Sequence, residues 1–409
     1  MSSAALHEPP FEPAEPDHPR LPDAGPAALW PTPSQELLLR AALLEGPGAW
    51  RAWSEWKATH DLVETDLDRG SFRLLPLVYK NLVAHGAEEP LLPRLKGIYR
   101  YSWCSNQQLL YRAAAVIRGL EDAGVSTLVL KGAATSALFY RDAGVRPMSD
   151  IDVLVPVARA AAAVAHLGRL GWRPIKPRVA DLIRYQHSAS LVNDTRETLD
   201  LHWHVFRECI QGDANEGFWR RSIPLRILGA RTRALGPTDA LLHTVVHGMR
   251  WNEEPTVRWI PDAMAILRSG DDAIDWAGLR EEARERRLLL RLVRGLDYLR
   301  RTLDAPIPDH ALERLRATPP SSIERVEYRL LALGPGRGKR LRFGHVQLMM
   351  VQYLRLMSHQ SLRRKIAELP AYLRYRLRNR SEPAIVAARR IKRGIRRLLQ
   401  GRILTREAR

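Results

Sequence analysis

The chain has 409 residues and a formal net charge of +19, but 21 Lys/Arg against 3 Asp/Glu fall between Arg337 and Arg409. Residues 1–336 hold 43 basic and 42 acidic side chains, so the charge excludes a basic nucleic-acid footprint spread over the whole protein and places it in a tail. There is no run of about 18 apolar residues and there are only two cysteines, Cys104 and Cys209. No membrane-spanning helix, disulfide framework or cysteine zinc site is therefore expected.

Residues 1–33 carry nine prolines, five acids and one Arg, the composition of a disordered leader. They lack a basic segment followed by an apolar core, so a cytoplasmic protein is expected rather than a secreted one. From Ser34 the period is helical, and helices are predicted over 34–44, 49–60, 71–85, 90–105 and 106–123. The period then changes. Residues 126–132 (STLVLKG) read as a buried strand and AATSALFYR as a helix. MSDIDVLVP (148–156) reads as an apolar strand carrying two aspartates, followed by an Ala-rich helix ending near Gly171. SASLVND and ETLDLHWHVF read as a hairpin turning at Asp194–Arg196. From Pro237 helices return. Turns are expected at 317–320 and at GPGRGKR (334–340), which lacks the preceding strand and Lys-Ser/Thr ending of a P-loop.

The chemistry concentrates in the α/β stretch. Side chains two apart on a strand share a face, so Asp150 and Asp152 are expected to project together from an apolar sheet. Unpaired like charges are costly there, and a divalent cation would offset the repulsion. Solvated strand-end aspartates are the plainer alternative. Lys131-Gly132 closes the preceding strand and opens a helix, where backbone N–H groups favour an anion. Asp200 lies in an apolar strand, and alternation puts Asp200, His202 and His204 on one face.

These motifs together resemble the uncharacterised nucleotidyltransferase family of the polymerase-β-like superfamily. The resemblance rests on LVLKGAATSALFYRDAGVRPMSDIDVLVP, LDLHWHVF and the helical stretch from LGPTDALLHTVVHGMRW to DWAGL, and runs from about Leu37 to about Leu299. It implies a small mixed-sheet α/β core between helical regions. The expected division is a leader (1–33), helices (34–123), the nucleotidyltransferase core (124–236), helices (237–333) and a basic helical tail (334–409).

The resemblance also implies that Asp150, Asp152 and Asp200 hold two Mg²⁺ (or Mn²⁺) ions. A nucleoside monophosphate, expected to be AMP from ATP, would move to a hydroxyl on a small molecule, sugar or peptide, releasing pyrophosphate. Gly132 matches the glycine of the superfamily's Gly-Ser motif, while Ala133 replaces the serine. Phosphate contacts would then fall to backbone N–H groups, Lys131, Arg146 and Ser149. Alternatively, Lys131 is a solvated strand-end lysine and Arg146 pairs with Asp142 or Asp150.

His202 and His204 form an HxH pair, read as support or acceptor pocket rather than as zinc ligands. His243 and His247 stand at metal-ligand spacing without the glutamate of a zinc protease; His247 and Asp262 join the possible acceptor pocket. Trp251, Trp259 and Trp276 are expected mostly in the core. The tail repeats Leu362, Ile366, Leu369, Leu373, Leu377, then Ile391, Ile395, Leu398 and Leu399 at helical spacing between arginines. It fits a hairpin packed on the body, an anionic membrane surface or nucleic acid. The rival to an enzyme is a non-catalytic nucleotide-binding scaffold docked by this tail on a membrane, where the protein would sit peripherally, or on RNA.

Overall fold

The computed structural model describes residues 29–62, 67–86, 88–176, 178–211, 213–250, 257–270, 272–332 and 339–378. Of the leader expected over 1–33, residues 1–28 lie outside the described residues, as do Trp251, most of GPGRGKR and the last Arg-dense stretch (379–409). The leader's end joins the core, with Leu29 buried and Trp30 against Trp259 and Tyr298.

Seven strands form one mixed sheet: β1 Leu128–Leu130, β2 Ile151–Leu154, β3 Arg173–Pro174, β4 Ser188–Val192, β5 Thr198–His202, β6 Ile223–Ile227 and β7 Ala230–Ala234. Their order is β3-β4-β5-β2-β1-β7-β6. β1 runs antiparallel to β2, whereas β2–β5 and β1–β7 are parallel. Alternation along the strands divides the sheet between two cores. Leu128, Leu130 and Leu154 face a core built from the helices Pro33–Leu43, Gly46–Thr59, Leu75–Ala84, Pro237–Gly248, Trp259–Leu267 and Leu289–Leu303. Val129, Val153, Leu199 and Leu201 face the helices Leu92–Asp122 and Ala160–Arg169. The N-terminal helices thus share their core with the helices that follow the sheet.

Several local expectations change. The stretch read as two helices, 90–105 and 106–123, is one continuous helix, Leu92–Asp122. No proline or glycine cap interrupts it, and its apolar face continues through Leu109, Ala113 and Ile117. The hairpin β6–β7 was absent from the reading. It turns through Leu228 and Gly229, both at positive φ (43° and 84°) as a tight hairpin turn requires, and β7 pairs in parallel with β1 near the middle of the sheet. β2 begins at Ile151, so Asp150 precedes the strand instead of lying on it. Trp259 is buried and packs against Trp30 and Tyr298, a core role. Trp276 is half-buried against the same core.

The tail up to Arg378 packs on the body. Helices Lys339–Leu356 and Leu362–Arg378 bring Tyr353, Tyr372 and Met357 against Tyr185, and Gln186 donates to Tyr375 Oη at 2.7 Å. The apolar stripe expected to define its face is divided. Leu362 and Ile366 are 72% and 65% exposed, while the tyrosines face inward. Among the described residues no helix is long and apolar enough to cross a membrane.

Candidate functional site

Strand pairing assembles the carboxylates. β2 and β5 are adjacent and parallel, and their register sets Asp152 directly beside Asp200. The antiparallel β1–β2 pair sets Leu130 opposite Asp152, which delivers the next residue, Lys131, to the same strand end. Lys131 Nζ lies 2.5 Å from Asp152 Oδ1. Its backbone has a positive φ of 47°, a strained conformation for a side-chain-bearing residue, costing on the order of 1–3 kcal/mol. Such strain persists only where surrounding contacts fix it, here at the junction of β1 with the helix Lys131–Thr135.

Asp152 is buried and accepts a second contact, His202 Nε2 at 3.0 Å. An ionised carboxylate can only accept, so Nε2 donates. Nδ1 is buried without a partner. Burial alone would raise the Asp152 pKa, but Lys131 and His202 outweigh it and hold the group below the ordinary carboxylate range. Asp150 behaves oppositely. Burial, and then the charges of Asp152 and Asp200, push its pKa up despite Lys131 and Arg258. Asp200 is half-buried, and its Oδ1 accepts from Ser190 Oγ at 2.6 Å. Ser190 stands opposite Asp200 in the β4–β5 register.

One ligand atom each from Asp152, Asp200 and His202 lie within 4.8 Å of one another. Two carboxylates beside one imidazole suit a divalent cation, for which the Lys131 ammonium now stands as counter-charge on Asp152. Asp150 lies outside this closest set, one residue before the strand. The residues therefore fit a metal. His202 joins the carboxylates, but His204 does not. It lies past the end of β5, with Nδ1 3.2 Å from Asn215 Nδ2, and burial pulls its pKa down to about 4.

The loop before β2 is fixed from below. Buried Asn106 donates to the carbonyls of Ala143 (2.5 Å) and Arg146 (2.8 Å) and accepts from Met148 N at 3.0 Å. Arg146 pairs with neither Asp142 nor Asp150. It makes two hydrogen bonds to Asp262, from Nε at 2.8 Å and Nη2 at 2.7 Å, and Tyr140 Oη donates to the same carboxylate at 3.1 Å. Asp262 is thus spent on Arg146 rather than free to line an acceptor pocket. Gly132 is needed on this side, because a Cβ there would fall 2.6 Å from Arg146 Nη1. Ser149 Oγ accepts from Arg73 Nη2 at 3.2 Å and reaches Asp150 Oδ1 at 3.4 Å.

A group of histidines lies on the other flank. The His187 and His202 rings meet edge to face at 5.3 Å, and the His243 and His247 rings at 5.6 Å. Lys131 and His202 act electrostatically on both His243 and His247. Burial above all, reinforced by nearby cations, keeps His187, His243 and His247 well below the ordinary histidine range. His187 Nδ1 and His243 Nε2 are buried without partners.

Sequence reasoning missed Ser190, His187, Asn106, Arg73 and Arg258. Ser190 had a usable signal: a turn centred on Thr195 pairs residues 190 and 200. The others reach the site from distant segments and carried none.

The sequence pattern of the uncharacterised nucleotidyltransferase family matches residues 71–304 of this chain. Among solved structures, the chain is similar to the antibiotic-resistance factor ANT(2'')-Ia at 15% identity, covering 45% of this chain and 96% of that one with a TM-score of 0.34. It is also similar to an antigenic nucleotidyltransferase-like protein from Paracoccidioides brasiliensis at 15% identity, covering 50% and 96% of the two chains with a TM-score of 0.33. No curated protein matches.

Proposed function

The chain belongs to the uncharacterised nucleotidyltransferase family, enzymes that transfer nucleotidyl groups, and on that premise we propose that it moves a nucleoside monophosphate from an NTP to an acceptor hydroxyl. ATP is the expected donor, and a small molecule, sugar or peptide the expected acceptor. One observation carries the reading: Asp152 and Asp200 are register partners at the end of a buried sheet, with Asp150 adjacent and a single lysine, Lys131, in direct contact as counter-charge.

Asp152, Asp200 and Asp150 would hold divalent cations, Mg²⁺ or Mn²⁺. Such ions, when bound, neutralise phosphate charge and acidify a hydroxyl. The chain's own groups divide the remaining work. Asp200, oriented through Oδ1 by Ser190, takes the proton of the acceptor hydroxyl on its other oxygen. The hydroxyl oxygen bonds to the α-phosphorus, the bond from that phosphorus to the bridging oxygen breaks, and pyrophosphate leaves. Gly132 keeps the backbone at the start of its helix open to a phosphate, and Lys131 supplies charge beside it. His187, His202 and His243 present buried ring nitrogens without partners that suit hydroxyl groups, and with His247 beside them this flank is assigned to the acceptor.

Incubating the chain with each labelled NTP, Mg²⁺ and cell extract tests the reading. The expected result is a labelled adduct and pyrophosphate from the wild type and neither from Asp152→Asn or Asp200→Asn. Wild-type chain that binds NTP but leaves it intact, exactly as the variants do, would instead favour the non-catalytic scaffold.

A further inference from the structure

Beside Asp150 lies a set of arginines with too few acids. Arg73, between two short helices of the N-terminal layer, donates to Ser149 Oγ at 3.2 Å. Arg258, from the helical region almost two hundred residues later in the chain, donates from Nη1 to the carbonyl of Pro147 at 3.2 Å. Both therefore clasp the same four-residue approach to β2. Arg69 stands close enough to repel Arg73 and Arg258, and Arg146 does the same from behind. Of these four, Arg146 alone has a carboxylate partner within ion-pair distance among the described residues. Burial, and then repulsion from Arg258 and Arg69, draw the Arg73 pKa down to about 9. Cations held this close without matching acids are costly unless an anion joins them.

The position of the set decides which anion. Arg258 and Arg73 interact with Asp150, whereas the electrostatic neighbours of the histidine flank are Lys131, His202 and Arg250. Guanidinium charge therefore gathers beside Asp150 itself. In the transfer proposed above, the mobile negative charge accumulates on the departing pyrophosphate, while the acceptor brings a neutral hydroxyl. Two guanidinium groups held on one short segment, Pro147 to Ser149, suit phosphate oxygens.

We propose that Arg73 and Arg258, with Arg69 beside them, form the subsite for the β- and γ-phosphates of the donor nucleotide. The subsite is built from two helical regions outside the sheet and can assemble only when both are docked. This assignment rests on the nucleotidyl-transfer reading for its ligand, and the test separates the two.

Calorimetry on the full chain would compare ATP, CTP, GTP, UTP, AMP and inorganic tripolyphosphate, for the wild type, Arg73→Gln, Arg258→Gln and the matching lysine variants. Circular dichroism and thermal midpoints identify any variant that fails to fold, and the lysine variants keep the charge where glutamine loses it. The expected result is about a tenfold loss of NTP and tripolyphosphate affinity for each glutamine variant, little change for AMP, and partial recovery with lysine. Unchanged tripolyphosphate and NTP binding in folded glutamine variants overturns the subsite, as does a wild type that binds neither. Tripolyphosphate binding that depends on the arginines, in a chain that transfers no nucleotide to any acceptor in extract, upholds the subsite and removes the transfer reading instead.

Discussion

Two clusters of buried charge show how differently this fold treats an ion. Glu208 and Glu327 meet Arg291 and Arg355: Arg291 lies 2.9 Å from Glu208 and 3.9 Å from Glu327, and Arg355 lies 2.6 Å from Glu327. Arg250 approaches Glu208 at 4.0 Å, and Arg355 also donates to the carbonyls of Arg286 and Arg287. Each acid there has a guanidinium within reach. Among the described residues, Asp152 has Lys131 and the imidazole of His202 at ion-pair distance, and Asp150 and Asp200 have no such partner. The arginines nearest them either lack an acid or spend themselves on Asp262. Matched buried charge joins elements together, whereas unmatched buried charge of both signs, kept a few residues apart, prepares a place for ligands.

The largest expected effect breaks the unmatched cluster. Asp152→Asn should lower transfer by about a thousandfold or more while the thermal midpoint changes little, measured as pyrophosphate release beside a melting curve. Removing a cation from the matched cluster should do the reverse. Arg291→Met strands Glu208 and should cost about 3 kcal/mol of stability in urea unfolding, with turnover per folded molecule retained. If Arg291→Met were silent in stability, the contrast between the clusters would collapse.

Acid sharpens it further. Burial alone would raise the Glu208 pKa, but Arg291 and Arg250 hold it well below the ordinary glutamate range. A depressed folded-state pKa contributes stability that is fully present above the unfolded value of about 4.3 and is lost as pH falls toward the folded value. Unfolding free energy measured against pH should therefore fall more steeply below pH 4.3 in the wild type than in Glu208→Gln. The smallest effect is expected from Gly132→Ala. Its Cβ would press Arg146 Nη1 without touching a carboxylate, so kcat/KM should drop by about five- to tenfold with the fold intact.

The parts of the site that rest on one or two neighbouring strands were legible in the sequence. Asp152, Asp200, His202 and Lys131-Gly132 fall on or beside short alternating runs, and alternation fixes their faces. Strand ends limit alternation: β5 ends before His204, which turns to Asn215, whereas Asp150 precedes β2 by one residue yet stays within the fields of Asp152 and Asp200. Pairings across long separations left no local trace. The partner of Arg146 is 116 residues away, and nothing near Arg146 distinguishes Asp262 from Asp142 or Asp150. β6–β7 carried an alternating pattern around Leu228-Gly229, but its exposed arginines disguised a strand pair with an inner edge against β1. In the tail, spacing identified helices but not which side faces the body, because the contact centres on Tyr353, Tyr372 and Met357, with Leu369 of the stripe against them and Leu362 and Ile366 exposed.

The Glu208–Glu327 network also sets an order on biosynthesis. Glu208 follows the strand bearing Asp200 by only a few residues, yet Arg291 and Arg355 emerge from the ribosome much later. Until Arg355 has been made, Glu327 lacks its nearest counter-charge. The helix Lys339–Leu356 thus supplies the network's nearest cation for Glu327. A chain truncated before Arg355 would keep every proposed catalytic side chain but leave Glu327 with only the more distant Arg291 as counter-charge.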